Sequence, residues 1–501
     1  MNSVFDQGPP APCPAPFNMA AHVLARGALT PDKIALSVLG GDNLTYGALR
    51  AAVLGTATGL LQAGAVVGDR VLMRLGNTVD FPLAYLGALA AGLVPVPTAS
   101  ALTSREVAPM IATLNPALIL LDADAACPAD ARIVTVETLR AMRSLPPADF
   151  HMGVPERAGY IIYTSGTSGS PRAVVHAHRA IWARQMMFDG WYGLHSADRV
   201  LHAGAFNWTY TLGTGLMDPW TMGATALIPA AGTPATELPA LIAQNEATIF
   251  AAAPGVYRQL LNQSELMAMP YLRHGLSAGE KLSPVVRAHW EAATGTTVYE
   301  AYGMSECSTF ISAAPAHPAD ATVLGRPQQG RKIALLGPDG PVPLGDEGTI
   351  AVHRSDPGLM LGYLDQPEET AAKMQGDWFL TGDQGSMDSD FQITYLGRND
   401  DMMNAGGFRV SPVEVESCLA KFDGITAVGA AEVILKQDVT GIAAFYTAAA
   451  PLDETHLRRY AEANLARYKQ PRVYIHLPQL PMGANGKLLR RALRQQFEAT
   501  R

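Results

Sequence analysis

The chain has little of what a cross-linked, highly charged or nucleic-acid-binding protein needs. Of its 501 residues only four are cysteines, none in Cys-x-x-Cys spacing, and 16% are charged. This scarcity argues against a disulfide framework or a zinc site and fits a reducing compartment. Lys and Arg number 37 against 45 Asp and Glu, a net charge of −8. A basic surface for nucleic acid is therefore not expected.

Long apolar runs are also missing. The most apolar segment, 81–96, is interrupted by Pro82 and Pro95 and is shorter than the ~20 residues of a membrane-spanning helix. It predicts a buried helix followed by a strand. The first twenty residues contain prolines where a signal peptide needs an apolar core. We expect a cytoplasmic protein without a membrane contact, either a monomer or a homodimer.

What is present is the composition of a large globular protein, 48% hydrophobic, long enough for two or three units. Short β-branched runs alternate with helical patterns, which predicts α/β layers with parallel strands. The runs lie at 71–75, 117–121, 160–164, 224–228 and 248–252. From about 325 to 397, Gly, Pro and Asp turns predict a β-rich subdomain. Beyond it, helices at 412–420 and 455–468 with a strand at 441–447 predict a small α+β unit.

The first chemical motif follows the apolar run at 160–164. The segment from Thr164 to Arg172 is TSGTSGSPR, a turn of glycines and hydroxyl residues. Such a turn exposes backbone N–H and hydroxyl donors to one concavity, which suits phosphate oxygens. No Gly-Lys-Ser/Thr closes it, so it is not a Walker A loop. Taken alone, it would equally fit a solvated Ser/Gly turn.

Further motifs follow in a fixed order. They are Tyr302-Gly-Met-Ser-Glu306, Thr381-Gly-Asp383, Gly397-Arg-Asn-Asp-Asp401, Gly406-Gly-Phe-Arg409 and Gly486-Lys487. In this order the set resembles the adenylate-forming enzymes, in the branch of the acyl- and aryl-CoA synthetases, and the run 202–220 is most similar to benzoate-CoA ligases. The resemblance extends from about residue 25 to the last residue. It implies an α/β N-terminal domain, 1–398, and a small mobile α+β lid domain, 399–501, with the active site between them.

The resemblance implies ATP, Mg²⁺ and coenzyme A as cofactors, and two half-reactions. A carboxylate first becomes an acyl-AMP with release of pyrophosphate, and the acyl group then passes to CoA. The catalytic residues would be Lys487, Glu306 and Thr167, with Glu306 as the Mg²⁺ ligand. The residues implied to contact ATP or CoA are Thr164, Ser165, Gly166, Ser168, Gly169, Gly279, Glu300, Tyr302, Ser305, Asp383, Arg398, Gly407 and Arg409.

Each implied role has a physical rationale. The ammonium of Lys487 can neutralise charge that develops between carboxylate and α-phosphate. Mg²⁺ prefers oxygen ligands, which suits Glu306, although a solvated surface acid would look the same in the sequence. Tyr302 offers a flat face for adenine. Asp383 would accept from the ribose hydroxyls, and Arg398 would donate to the same sugar. Without a nucleotide role, the pair would be an ordinary surface salt bridge.

The lid residues follow from the same resemblance. Asp400 stands where the family has its interdomain hinge. One lid orientation would bring Lys487 in for adenylation, and another would present Gly407, whose missing side chain lets a pantetheine arm pass close to the backbone.

The acid itself is expected to be aromatic or medium-chain. The resemblance places His202, Ala205, Phe206 and Trp208 around the acyl pocket, with Ala278 and Gly303 at its floor, and a glycine at 303 leaves the pocket open. Phe206 and Trp208 could equally be core residues. Two departures from the family pattern are Arg172, which replaces a lysine, and Asn207, which has no charge to pair with the ammonium of an amino acid.

Other functions stay open at this point. The acceptor could be a separate carrier protein instead of CoA, or the chain could be a nucleotide-binding protein without turnover. Residues 275–279 form a Gly-x-Ser-x-Gly pattern around Ser277, which would fit a serine hydrolase. His176 and His178 stand at a predicted helix start without the further ligands of a metal site. Cys307 is expected to be a small buried side chain.

Overall fold

The structure is a computed structural model, and it describes residues 1–128, 132–164, 172–230, 232–261, 267–399, 401–405, 408–436, 439–483 and 488–499. Across these ranges the fold is mixed α/β. None of the helices described there combines the length and apolarity that a membrane crossing requires.

The strands before residue 400 are β1 Val4–Asp6, β2 Ile34–Leu39, β3 Asn43–Thr45, β4 Arg70–Arg74, β5 Val94–Pro97, β6 Leu118–Leu121, β7 Ile133–Thr135, β8 Ala158–Thr164, β9 Arg172–Ala177, β10 Arg199–His202, β11 Thr225–Pro229, β12 Ile249–Ala252, β13 His274–Ala278, β14 Val298–Met304, β15 Ser308–Ser312, β16 Arg326–Pro327, β17 Lys332–Gly337, β18 Gly340–Pro341, β19 Glu347–His353, β20 Gly362–Tyr363, β21 Met374–Gln375, β22 Trp378–Met387 and β23 Ile393–Arg398. Those after it are β24 Met403–Ala405, β25 Phe408–Val410, β26 Ala427–Lys436, β27 Val439–Thr447 and β28 Val473–His476.

The α-helices are α1 Met19–Ala25, α2 Tyr46–Gln62, α3 Asp80–Ala90, α4 Ser104–Leu114, α5 Val136–Met142, α6 Ala180–Ala183, α7 Asp218–Met222, α8 Leu238–Gln244, α9 Pro254–Leu261, α10 Pro284–Thr294, α11 Pro367–Ala371, α12 Pro412–Leu419, α13 Glu454–Asn464 and α14 Arg490–Ala499. Phe188–Tyr192 and Thr211–Met217 are π-helical, and Arg26–Leu29 and Ala235–Glu237 are 3₁₀-helical.

Before residue 399, two sheets of the described part of the chain consist mainly of parallel strands. The larger has nine strands in the order β16-β15-β14-β13-β12-β10-β11-β2-β3, parallel from β14 through β2. The smaller is the parallel sheet β5-β4-β6-β7. Four of the five predicted runs lie in these sheets, as β4, β6, β11 and β12. The prediction of a buried helix and then a strand over 81–96 is confirmed by α3 and β5.

The fifth run is the exception. Strand β8 pairs antiparallel with β9, so the prediction of a parallel strand at 160–164 was wrong. Only seven residues, 165–171, separate the two strands. A parallel crossover needs a dozen or more residues, so a connection this short can only return the chain antiparallel.

The β-rich prediction for the stretch that begins near 325 is confirmed. Strands β17, β18, β19, β21, β22 and β23 form an antiparallel sheet, which β1 from the N-terminus completes. This seven-stranded sheet lies beside the edge of the nine-stranded one, where Gly325 bridges to Ile393. The arrangement brings residues near 302 close to residues near 383.

The C-terminal part builds its own layers. The sheet β26-β27-β28 and the hairpin β24-β25 share no strand with the sheets before residue 399, among the residues that the structure describes. Separate apolar clusters, one around Val415 and Ile442 and one around Phe445 and Leu493, cover the three-stranded sheet. This is the predicted α+β composition.

The helix predicted over 455–468 is shorter than expected. It ends at Asn464 because Leu465 takes an extended backbone, with φ −129° and ψ 141°, and buries its side chain in the cluster around Val415. The predicted helix was too long because the apolar residues that follow the helix keep the spacing of its buried face. The helix predicted at 412–420 is present as α12, with Ser411 capping its first turn.

A buried ion pair ties α6 to α7. The Arg184 guanidinium donates to both carboxylate oxygens of Asp218, at 2.8 and 2.6 Å, and the Tyr192 hydroxyl donates to the same carboxylate at 2.7 Å. The Asp218 side chain is fully buried. The two charges are shielded from bulk water, so each compensates the other. Either charge alone would be buried without a counter-charge, which would destabilise the fold.

We predict that Asp218→Ala lowers the free energy of unfolding by about 3–5 kcal/mol, because it leaves the Arg184 charge buried and unpaired. The matched control is Asp377→Ala, which removes a carboxylate 3.2 Å from Arg354 in a pair where both side chains are more than half exposed. Urea unfolding followed by circular dichroism should show a lower midpoint for the first variant alone. Equal midpoints for the two variants would contradict the assignment.

Candidate active site

Tyr302, Asp383 and Arg398 lie together although they belong to two sheets. Tyr302 is on β14, and Asp383 on β22 is the strand partner of Arg398 on β23. The Tyr302 hydroxyl donates to Asp383 Oδ2 at 2.5 Å, and Arg398 Nε lies 3.9 Å from Asp383 Oδ1. Burial, and then the Asp383 charge, raise the pKa of Tyr302 well above its usual value, so the phenol stays protonated and donates.

These three residues bring an aromatic ring, a carboxylate and a guanidinium together. The Tyr302 ring packs edge-on against Phe310 and is tilted against Tyr395, which fixes its plane. Asp383 presents a carboxylate held by a tyrosine and by an arginine. A carboxylate in this setting can accept from a pair of sugar hydroxyls, and the ring beside it can cover a base.

Glu306 is not a solvated surface acid. Its residue is 9% exposed, and its Oε1 accepts from the Tyr363 hydroxyl at 2.7 Å. Its backbone oxygen accepts from Met360 N at 2.8 Å. The Arg172 guanidinium stands 5.3 Å from the Tyr363 ring centroid and pairs with Glu369 at 2.7 Å. Glu306 therefore lies near the end of the glycine and hydroxyl segment, with Tyr363 between them.

His176 holds the residue before Glu306. Its Nε2 lies 2.7 Å from the carbonyl oxygen of Ser305, and because a carbonyl only accepts, Nε2 carries the proton. Burial lowers the pKa of His176 to about 4, so the ring is neutral at neutral pH. The loop that carries Ser305 and Glu306 is thus tied to β9.

The expected helix start at the two histidines was wrong. His176 is in strand β9. His178 is the first residue after this strand, and its Nδ1 accepts a hydrogen bond from the backbone N–H of Met19 at 3.0 Å. The spacing of the two histidines carries no information on strand pairing, and β9 is a strand because it pairs with β8. In the described ranges no cluster of three or more His, Cys, Asp or Glu is placed to hold a metal.

Sequence reasoning missed Tyr363 and His176 as residues that position the site. They lie 57 residues after Glu306 and 129 residues before Ser305. Their contacts arise because β20 pairs with β9, which brings both beside the turn between β14 and β15. No local spacing signals a contact of that kind.

Hydrogen bonds to the Glu300 carboxylate hold the loop that follows β13. The Glu300 carboxylate accepts from Lys281 Nζ at 2.7 Å and from the backbone N–H of Leu282 at 2.9 Å, and the side chain is fully buried. Its oxygens thus accept hydrogen bonds inside the protein, and the expected cofactor contact of Glu300 stays a prediction. The structure gives Glu300 the role of fixing the loop that contains Gly279, which has a φ of +97°.

Three residues expected at the acyl pocket, His202, Trp208 and Ala278, lie around Tyr210. A Cβ at Gly279 would lie 2.8 Å from the Trp208 ring, so the loop and this tryptophan are in contact. Trp208 packs edge-on to Tyr210 with ring centroids 5.1 Å apart, and Tyr210 packs edge-on to His202 at 4.4 Å. Ala278 is buried in the same apolar cluster as Tyr210.

Three other expected pocket residues have different surroundings. Phe206 is fully buried and packs on Phe81 in the main core, so the core alternative is the one observed. Ala205 is exposed. Gly303 sits at a bulge between β14 and β15, where a Cβ would lie 2.1 Å from the Ser308 carbonyl oxygen. Strand pairing therefore requires a glycine at this position.

The hydrolase alternative is not supported. Ser277 is fully buried within strand β13, whereas a nucleophile in a Gly-x-Ser-x-Gly elbow is exposed at a sharp turn after its strand. The expectation for Cys307 is confirmed, because the side chain is fully buried and burial raises the pKa of its thiol.

Several expected site residues lie outside the described residues. They are Ser165, Gly166, Thr167, Ser168, Gly169, Asp400, Gly407 and Lys487. For Arg409 only the main chain is described, in β25. Thr164 is described as the last residue of β8, directly before the glycine and hydroxyl segment.

Comparisons with known proteins agree with this geometry. A family model for "AMP-binding enzyme" matches residues 24–364. A 3-hydroxybenzoate–CoA ligase of Aromatoleum sp. (strain CIB) is 28% identical, over 92% of this chain and 93% of that protein. The mitochondrial acyl-coenzyme A synthetase ACSM5 of Mus musculus is 30% identical, over 86% and 80%.

Solved structures of CoA ligases have the same fold. A benzoate CoA ligase from Burkholderia xenovorans LB400 has a TM-score of 0.86 at 26% identity, covering 95% of this chain and 100% of that one. The anthranilate CoA ligase AuaEII, solved with anthranoyl-AMP, shares the fold with a TM-score of 0.90 at 24% identity, covering 98% and 99%.

The fold and the site thus define an adenylate-forming enzyme with a large N-terminal and a smaller C-terminal part, as the sequence motifs predicted. The family model covers more than half of the chain, and this protein belongs to the AMP-binding enzyme family.

We predict that Asp383→Ala weakens AMP binding by about 10- to 100-fold, because a charge-assisted hydrogen bond to the nucleoside is lost. Asp346→Ala, which removes an exposed carboxylate in the turn before β19, serves as the control for a change in net charge. Isothermal titration calorimetry with AMP gives both affinities. Wild-type affinity in Asp383→Ala would show that this carboxylate does not contact the nucleotide.

Proposed function

We propose that the protein is an ATP-dependent acid–thiol ligase. It activates an aromatic or medium-chain carboxylic acid as an acyl-AMP, releases pyrophosphate, and transfers the acyl group to coenzyme A. The observation that carries this proposal is the grouping of Tyr302, Asp383 and Arg398 in a chain of the AMP-binding enzyme family. The CoA ligase names of relatives that match most of its length support CoA as the acceptor.

The chemistry explains why these groups are needed. A carboxylate is a poor electrophile, and joining it to AMP in a mixed anhydride makes its carbonyl carbon open to a thiol. The step needs an aligned attacking oxygen and neutralised phosphate charge. Tyr302 and Asp383 would hold the nucleoside, and Arg398 would donate to the same sugar. Thr164 and the residues 165–169 would receive the β- and γ-phosphates.

Mg²⁺ fits the surroundings of Glu306. Magnesium in nucleotide sites is held by one or two carboxylates together with phosphate oxygens and water, so one well-placed carboxylate is sufficient. Glu306 is buried, and Tyr363 orients it through Oε1. The cation would neutralise charge on the phosphates, while Tyr363 and His176 keep the acidic loop in place.

The lid is proposed as residues 399–501 on a body of residues 1–398, with Asp400 as the hinge. The separate sheets before and after residues 399–402 support this division. Arg490, which begins α14, donates to both oxygens of Glu416 at 2.9 and 2.7 Å and lies 3.4 Å from Asp401. These contacts anchor the chain close after Lys487 beside the proposed hinge. Gly407 and Arg409 would serve the CoA arm in the second orientation.

A separate carrier protein as the acceptor is the remaining alternative. It predicts that adenylation proceeds while free CoA receives no acyl group. The proposed reaction predicts acyl-CoA formation from free CoA alone, with no protein partner added.

The proposal predicts that Lys487→Ala slows acid-dependent pyrophosphate release by about 10²–10³-fold or more, because the cation that stabilises the adenylation transition state is gone. Formation of acyl-CoA from preformed acyl-AMP should be much less affected. Lys421→Ala, which removes an exposed lysine of the same unit, is the control. An equal loss in both half-reactions would refute the role given to Lys487.

A further inference from the structure

A fully buried ion pair lies behind the turn that carries Glu306. Arg331 directly precedes β17, and Asp356 follows β19. The Arg331 guanidinium donates from Nη1 to Asp356 Oδ1 at 2.6 Å, and neither side chain has any exposed surface. The pair takes no part in the contacts to Glu306 that are described above, so its role has to be found in the segments that it connects.

The ion pair joins two segments of the chain. On one side, Arg331 Nη2 donates to the carbonyl oxygen of Thr309 at 3.0 Å, near the start of β15. On the other side, Asp356 Oδ1 also accepts from the backbone N–H of Gly358 at 2.7 Å. An aspartate that accepts from the N–H two residues later fixes a local turn. The pair therefore sets the bend of the segment after β19 and fastens it to β15.

The same two segments meet again at Glu306. Met360 N donates to the Glu306 carbonyl oxygen at 2.8 Å, and the Tyr363 hydroxyl donates to the Glu306 carboxylate. Residues 306–309 and 356–360 are thus closed into one loop, with the ion pair at one end and the backbone hydrogen bond from Met360 at the other. A shift of the ion pair would move both segments that determine where the Glu306 carboxylate lies.

Stability alone gives little reason for such a pair. Taking two charges out of water costs free energy that their attraction often does not recover, and well-packed apolar side chains can replace a buried pair without loss. Among the residues that the structure describes, Arg331 Nε and Asp356 Oδ2 have no hydrogen-bond partner, so the pair is not fully satisfied either. What a planar guanidinium adds is fixed geometry, because its donors join a carboxylate and a carbonyl in set directions.

We propose that Arg331 and Asp356 are positioning residues for Glu306. They keep its carboxylate where it can hold a Mg²⁺ ion that is bound to the phosphates of ATP, and they contact neither the metal nor the nucleotide. This inference rests on the proposed ligase function and on the Mg²⁺ role given there to Glu306.

The test measures nucleotide binding instead of turnover. Isothermal titration calorimetry of the full-length enzyme uses α,β-methylene-ATP, which cannot be cleaved between these two phosphates, once with Mg²⁺ and once without it. The ratio of the two affinities reports the contribution of the metal. Asp356→Asn removes the charge but keeps an oxygen that can accept from Gly358. Because loss of a group that orients a metal ligand commonly lowers metal affinity 10- to 100-fold, the ratio should fall about 10-fold in this variant.

Gly358→Ala disturbs the geometry while both charges remain. A Cβ at this position would lie 2.8 Å from Arg331 Nη1 and 3.2 Å from the Cys307 carbonyl oxygen, so the guanidinium has to move. This variant should lower the affinity ratio as well. It provides the same measurement if Asp356→Asn does not fold.

Asp198→Asn is the matched control. Asp198 is 4% exposed and pairs with Arg273 at 2.8 Å, so this substitution also removes the charge of a buried carboxylate. Asp198 directly precedes β10, whereas Glu306 follows β14, and the strands from β10 to β14 are parallel. The control therefore lies at the opposite ends of these strands from Glu306. It should leave the affinity ratio unchanged.

A double variant separates positioning from a general loosening of the fold. Glu306→Gln already removes the carboxylate that the pair positions, so adding Asp356→Asn in this background should lower the ratio no further. A general structural effect would lower the ratio by the same factor with and without the Glu306 carboxylate.

Two results would overturn the positioning role. One is a wild-type ratio in folded Asp356→Asn or Gly358→Ala while Glu306→Gln lowers it, which removes the positioning role and leaves the ligase function intact. The other is an equal fall of the ratio on adding Asp356→Asn to the wild type and to Glu306→Gln. If Mg²⁺ does not change the affinity of the wild-type enzyme for the analogue, the metal role proposed for Glu306 fails, and the positioning role fails with it.

Discussion

The hydrogen bond from Tyr302 to Asp383 joins the two sheets on which the proposed nucleotide site is built. Tyr302 comes from the nine-stranded sheet and Asp383 from the antiparallel sheet, 81 residues later in the chain. A buried phenol that donates to a carboxylate makes a short, charge-assisted contact, and Arg398 is fixed opposite Asp383 by strand pairing. A change in the packing of the two sheets would separate the ring proposed to cover the base from the carboxylate proposed to bind the sugar.

The acidic turn after β14 depends on a second set of long-range contacts. His176 holds the Ser305 carbonyl, and Tyr363 holds the Glu306 carboxylate. Both come from the small antiparallel sheet β20-β9-β8, which also leads into and out of the segment 165–171. One small sheet therefore positions the carboxylate proposed for Mg²⁺ and the ends of the loop proposed for phosphate. The carboxylate and the loop that are proposed to serve the same phosphates are thus held by one sheet.

The sequence predicts most of the architecture and fewer of the contacts. Buried parallel strands have continuous apolar runs, which is why β4, β6, β11 and β12 could be recognised. The same kind of run at β8 predicts a strand but not its direction, which depends on the length of the connection to β9. Motif order predicted Tyr302, Asp383 and Arg398 as site residues, and the structure places them side by side. Motif order could not show that the oxygens of Glu300 accept hydrogen bonds from within the protein, or that Phe206 belongs to the core. Those outcomes depend on side-chain partners from distant segments, which local patterns do not encode.

The central claim is that the enzyme cleaves ATP between the α- and β-phosphates in order to activate an acid. The most direct measurement is the nucleotide product, separated by chromatography after incubation with ATP, Mg²⁺, CoA and a substituted benzoate. The account predicts AMP and pyrophosphate in amounts equal to the acyl-CoA formed, and none of them without the acid. ADP and phosphate as the products, or AMP formed at the same rate without any acid, would contradict it.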